Sequence, residues 1–220
     1  MPAGSPVPDP DLDNDAHIRA VTYANGTVGV IFGRPLQRLF ALDAATGIPK
    51  WSIPLTQEES RYMPPTLLVT ENNLVILGEN GGNVSAFDGD TGQFVWKSQI
   101  AGNDGSPWLC QENGILYAAT GSGTVYALVS ATGTVKWKQN LDEPISAQPV
   151  LDRRGTLYLA THHNTLLAVS TQTGECVWRH YFGWSMTSIP DGDYVSPAIG
   201  PNGMVYAAST DHYLYALQRP

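Results

Sequence analysis

The chain has 220 residues, enough to bury a sizeable core, with a net charge of −8 and only 15% charged residues. The acidic balance and the lack of a basic stripe argue against a nucleic-acid binder, which needs clustered Lys and Arg to neutralise phosphates. No apolar run reaches the roughly 18 to 20 residues that cross a bilayer as a helix, so no membrane insertion is expected.

Residues 1–17, MPAGSPVPDPDLDNDAH, form an acidic, Pro-rich tail without the basic start and apolar stretch of a signal peptide. The Asp9 to Asp15 run has the D-x-D-x-D opening of a calcium loop but lacks its Gly at the sixth place and its acid at the twelfth. It reads as a solvated tail. From residue 18 onward the chain alternates short β-type runs with polar turns. YANGTVGVIF, TENNLVILG, QENGILYAAT, DRRGTLYLAT and GPNGMVYAAS are five hairpin signals, three of them with Asn-Gly.

A third and fourth run follow these hairpins and carry a repeat. ALDAATGIPKW (41–51), AFDGDTGQFVW (86–96), ALVSATGTVKW (127–137) and AVSTQTGECVW (168–178) each place Ala six residues before Gly and Trp four residues after it. Gly47, Gly92, Gly133 and Gly174 thus recur every 41 to 45 residues, a period typical of propellers and solenoids. Helical spacing is not sustained anywhere. The expected fold is all-β, a propeller of four-stranded antiparallel blades A-B-C-D over approximately 18–56, 57–101, 102–142, 143–183 and 184–220. The fifth unit keeps strands A to C and lacks the outer strand D. Two arrangements stay open, a five-bladed ring sealed by residues 1–17 or a partial ring belonging to a larger propeller.

In each repeat Thr-Gly falls in the C–D turn, where Gly accepts positive φ and Thr or Asp bonds the turn backbone. Trp51, Trp96, Trp137 and Trp178 are expected to fill the joints between blades, with the small Ala leaving room. The A-x-D-x-x-T-G-x-x-x-W pattern, clearest at Ala41, Asp43, Thr46, Gly47 and Trp51, resembles the tryptophan-docking repeat of the PQQ-like, or quinoprotein-type, propellers. It departs from that pattern at Val129 and Ser170, which stand where Asp43 and Asp88 stand in the first two copies.

The resemblance covers residues 18–220 and favours the outer-membrane-assembly propellers and the sensor propellers attached to bacterial kinases over the dehydrogenases. It implies a non-catalytic scaffold or sensor that binds another protein in an extracytoplasmic compartment. A small-ligand or sugar-binding propeller is the alternative, and a fragment of a PQQ-dependent dehydrogenase a second one. Dehydrogenases of the family carry a vicinal Cys pair and a calcium ligand set. Here Cys110 and Cys176 are far apart, and no cofactor, PQQ or calcium included, has support in the sequence. The two thiols are expected to be free, on an inner strand A and an outer strand D.

Antiparallel order puts the A–B and C–D turns on one rim and the longer D-to-A links and B–C turns on the other, which is where binding residues belong. That second rim gathers Arg34, Arg61, Tyr62, Asn80, Asp104, Trp108, Asp142, Glu143, His162, His163, Trp184, Asp191, Asp193, Asp211 and His212. Trp108 and Trp184 lie outside the docking pattern and suit stacking on a ligand or partner, although Trp108 equally suits a channel plug. His162, His163, His212 and Asp211 have the chemistry of a zinc site only if they converge, solvated turns being the simpler reading, and no metal is assigned. No catalytic constellation stands out.

Overall fold

The period-two runs fold as strands because alternate side chains point to opposite faces of a sheet. The computed structural model describes residues 18–32, 37–55, 65–100, 105–183, 196–209 and 213–218, and every regular element among them is a β-strand. The first sheet runs β1 (Ile18–Ala24), β2 (Thr27–Phe32), β3 (Gln37–Asp43), β4 (Pro49–Leu55), and the second β5 (Thr66–Val69), β6 (Leu74–Glu79), β7 (Asn83–Asp88), β8 (Phe94–Gln99). The third runs β9 (Trp108–Glu112), β10 (Ile115–Ala119), β11 (Thr124–Val129), β12 (Val135–Asn140), and the fourth β13 (Val150–Asp152), β14 (Thr156–Ala160), β15 (Thr165–Ser170), β16 (Cys176–Tyr181). The fifth has three strands, β17 (Ala198–Ile199), β18 (Val205–Ala208) and β19 (Leu214–Leu217). All neighbours pair antiparallel in sequence order, the architecture of propeller blades. Among the described residues no helix is long and apolar enough to cross a membrane.

One irregularity recurs in all four complete sheets. The repeat's Ala lies directly opposite its Trp (Ala41↔Trp51, Ala86↔Trp96, Ala127↔Trp137, Ala168↔Trp178), and the register then slips, leaving the residue before each Trp bulged. The bulge re-aims the indole where a regular strand would carry on flat. Turn chemistry follows the residue types. Asn25-Gly26 and Asn113-Gly114 both have positive φ at their two positions, as a tight type I′ hairpin requires. In the C–D turns the Asp43 carboxylate accepts the Thr46 N–H at 2.9 Å and the Thr46 hydroxyl at 2.7 Å, and Asp88 does the same with Thr91 at 2.8 Å each.

The chain forms two compact units, residues 1–107 with 130–133, and residues 108–129 with 134–220. In the first, Ile31, Leu39, Val69, Val75 and Leu77 make a core against which Trp51 packs. In the second, one cluster centres on Ile145, Leu157, Leu159, Leu167 and Val169, with Trp108, Trp137, Cys110 and Cys176 against it. A further cluster holds Tyr158, Leu166, Phe182, Val205 and Ala207, flanked by Trp178 and Tyr215. The middle strands β6, β14 and β15 are buried on both faces, and so they read as apolar runs. Strand β12 instead alternates and carries Lys136 and Lys138, charges that suit an edge.

Candidate functional site

The joints are built from a tryptophan of one repeat and the C–D turn of the next. Trp51 donates its indole N–H to the Gly89 carbonyl at 3.0 Å, Trp96 to that of Ser130 at 2.9 Å, and Trp137 to that of Thr171 at 3.0 Å. In every case the acceptor sits three residues before the motif Gly. The indole lies flat against that Gly: a Cβ on Gly92 would come within 2.8 Å of the Trp51 ring, and one on Gly174 within 2.8 Å of the Trp137 ring. One on Gly133 would be 2.4 Å from the Trp96 ring. Gly47, with φ +70, has nothing within 4 Å of where its Cβ would stand. Each glycine past the first therefore serves its own turn by positive φ and the preceding repeat by vacating space. Ser98 adds a hydroxyl bond to the Gly133 carbonyl at 2.7 Å.

On the loop-bearing rim, the second unit holds the best-defined polar cluster. The turn 161–164 joins β14 to β15, and within it the Thr161 hydroxyl donates to Glu143 at 3.0 Å and accepts the His163 and Thr165 N–H groups. Glu143, with a side chain only 13% exposed, also receives Arg179 at 3.4 Å. The His162 N–H bonds the Pro144 carbonyl at 2.9 Å. Asn164 donates to the Gly183 carbonyl at 2.9 Å and accepts the Ser209 hydroxyl at 3.0 Å. This framework presents the exposed His162 and His163 side by side. The His162 imidazole is held below its ordinary pKa, first by loss of solvent and then by His163 beside it, so at neutral pH it offers a neutral ring with one donor and one acceptor.

Trp108 opens β9 and is half buried against the second unit's core. Asn80 accepts a long 3.4 Å bond from Ser106, while Asp142 and Asn140 exchange bonds in the link after β12. Arg34, Arg61, Tyr62, Asp104, Trp184, Asp191, Asp193, Asp211 and His212 lie outside the described residues, and His162 and His163 are neighbours in one described turn. Among the described residues no group of three or more His, Cys, Asp or Glu is placed to hold a metal. Cys110 and Cys176 are free thiols, and burial, reinforced by Glu112, pushes the Cys110 pKa far up.

One cluster escaped the motif reading. Trp178 stacks on His180 (5.9 Å, 16°), His180 meets Phe182 edge-on at 4.9 Å, and Phe182 lies 4.7 Å from Tyr215. The available signal was the Trp-x-His-x-Phe alternation on and just past β16, which puts three rings on one face.

Four-stranded antiparallel sheets, seamed by indoles seated on Thr-Gly turns, define a β-propeller of the PQQ-like class. The family model described as outer membrane protein assembly factor BamB matches residues 12–111 and again 105–219, and the chain belongs to this family. Among solved structures it is similar to BamB from Moraxella catarrhalis (18% identity, TM-score 0.66, covering 90% of this chain and 60% of that one). It is also similar to a europium-containing methanol dehydrogenase (16%, 0.66, 87% and 51%) and to the WD40 β-propeller domain of Doa1 (12%, 0.64, 91% and 63%). These likenesses are of fold, and the chain spans between 51% and 63% of the lengths of the three. A comparison with curated protein sequences gives no match.

Proposed function

We propose that this chain is a non-catalytic scaffold that binds another protein through its loop-bearing rim, within the outer-membrane protein assembly named by its family's description. Family membership carries this reading, since the match runs through both halves of the chain. The geometry supports it physically. Seams filled by indoles make a stiff frame, and a stiff frame lets loops present side chains at little ordering cost. The 161–164 turn, with Glu143 and Arg179 behind it, offers satisfied polar groups around two exposed imidazoles, the character of a protein interface rim. The compartment that accompanies this role is extracytoplasmic.

The test is a photo-crosslinking residue placed at His163, with Lys136 on β12 as the control. The expected result is adducts, identified by mass spectrometry as outer-membrane assembly components, from position 163 and not from 136. Equal labelling from both positions, or a saturable change in tryptophan fluorescence on adding PQQ with calcium, would replace the scaffold with a ligand binder.

A further inference from the structure

Three asparagines, Asn25, Asn113 and Asn202, precede a glycine, and each of them and its glycine is exposed. What separates them is hydrogen bonding. In the turn between β17 and β18 the Gly203 N–H donates to the Gly200 carbonyl at 2.9 Å, and the Asn202 carboxamide oxygen accepts the Met204 N–H at 3.1 Å. The turn between β9 and β10 has neither bond. With Glu112 paired to Ile115, its loop residues take φ values of 51 at Asn113 and 74 at Gly114, and among the described residues the Asn113 carboxamide and the Gly114 N–H have no hydrogen-bond partner. Nothing lies within 4 Å of where a Cβ on Gly114 would stand. Asn25 and Gly26 are open at the same two groups, but the Gly26 carbonyl accepts the Ala44 N–H at 2.9 Å, which ties that turn to the C–D turn of its own sheet. The left-handed Asn73 and Asn164 are followed by Leu74 and Thr165, whose side chains crowd the next nitrogen.

We propose that Asn113 is a site of spontaneous deamidation whose isoaspartyl product loosens β9, with Asn25 reacting more slowly and Asn202 protected. The Gly114 nitrogen gives its proton to solvent base and attacks the side-chain carbonyl carbon of Asn113. A new C–N bond closes a succinimide ring as the old C–NH2 bond breaks and ammonia leaves. Water then opens the ring at either carbonyl, giving aspartate or isoaspartate. Glycine admits the attack because it has no Cβ beside the nitrogen. Ring closure also requires the turn to leave its type I′ geometry, and a loop at the end of a ladder frays at low cost. That opening breaks no turn bond beyond the ladder at Asn113, one at Asn25 and two at Asn202. Aspartate keeps the turn, since Asp-Gly suits type I′ as Asn-Gly does. Isoaspartate threads the side-chain methylene into the main chain, and the lengthened loop no longer holds Glu112 opposite Ile115. The strand that loses register is β9, an edge of its sheet, where Cys110 faces Tyr117 and Leu109 faces Ala118. Asn113 caps an A–B turn, at the opposite end of the strands from the 161–164 turn, so the site does not depend on the rim reading.

The experiment incubates the 220-residue protein, folded and in urea, at neutral and mildly alkaline pH. Peptide mapping by mass spectrometry then separates amide, aspartate and isoaspartate at each position. In the folded protein Asn113 should convert first, with Asn25 lagging by about fivefold and Asn202 by about thirtyfold, the ratios for one and two hydrogen bonds of ordinary net strength. The rate should rise with pH, as removal of the Gly114 proton requires. In urea the three rates should converge, because the reacting Asn-Gly pair is the same in each. Hydrogen exchange on aged protein should quicken at residues 108–112 in the isoaspartyl fraction and not in the aspartyl one. Asn202 reacting as fast as Asn113 in the folded protein, or an Asn113 that keeps its amide while the unfolded chain loses it, would overturn the site. Unchanged exchange at 108–112 in the isoaspartyl fraction would overturn the loosening of β9. Crosslinking from His163 reports on the rim alone, so the two readings fail separately.

Discussion

Replacing Gly133 by Ala tests the joint at its tightest point. The backbone there has φ +70, which costs an L-residue about 1 kcal/mol. The new methyl would lie 2.4 Å from the Trp96 ring and 2.7 Å from the Ser98 hydroxyl, so one of them must move. Trp96 is 7% exposed and tethered through its N–H to Ser130, and Ser98 is tethered to the Gly133 carbonyl. Overpacking a filled site costs about 1–3 kcal/mol, and losing a part-buried hydrogen bond about 1 kcal/mol more. The total is about 3–5 kcal/mol. Gly47→Ala carries the same positive φ with open space around it, so its loss should be about 1 kcal/mol. Urea unfolding followed by far-UV circular dichroism measures both, and in a Trp96→Ala background the cost of Gly133→Ala should fall towards that of Gly47→Ala. Equal losses for the two glycine variants in the parent protein would refute the claim that this residue makes room for a neighbouring repeat's indole.

Acid should loosen the C–D turns. The Thr46 and Thr91 hydroxyls, with the amides of the same residues, hold Asp43 and Asp88 below the ordinary carboxylate value of 3.8. A lowered folded pKa means the support is complete above the unfolded value and is lost as pH falls through the folded one. Asp88→Asn should therefore flatten the decline in stability between about pH 5 and about pH 2, seen in denaturation curves at stepped pH. Cys110 should resist a thiol reagent in the native protein, because burial keeps its thiolate unpopulated, while unfolded, unreduced protein should titrate with both thiols; a native Cys110 that reacts at the rate of a small-molecule thiol would contradict its placement. Glu143→Ala removes the partner of Thr161 and Arg179 and should cost about 1–3 kcal/mol, with faster amide exchange across residues 161–165 as its local signature.

The architecture was legible because its signals are local. Asn-Gly turns, period-two runs and the recurrence of Thr-Gly with Trp each need only a few neighbouring residues, and together they give four-stranded sheets in sequence order. The same stretch hid half of what its glycines do. Positive φ is a property of one turn, but the space that Gly92 vacates is filled by Trp51, and no spacing within one copy reveals that. The rim was less legible still. Two adjacent histidines suggest a ligand site, whereas the bonds that order their turn run from Thr161 to Glu143, 18 residues away, and from Asn164 to Ser209 in the next sheet. Contacts of that range are set by how sheets stack, which a linear pattern does not encode. The Trp178–His180–Phe182 ring run was missed because its period of two was read only as strand alternation.

Each joint draws its donor from one module and its acceptor from the following one, yet every complete module carries both halves. An inserted copy of about forty residues would arrive with a glycine already shaped for the upstream indole and an indole already aimed at the downstream glycine. Array length in such a chain is accordingly free to change by duplication or loss of whole units, with no compensating substitution needed at the new boundaries.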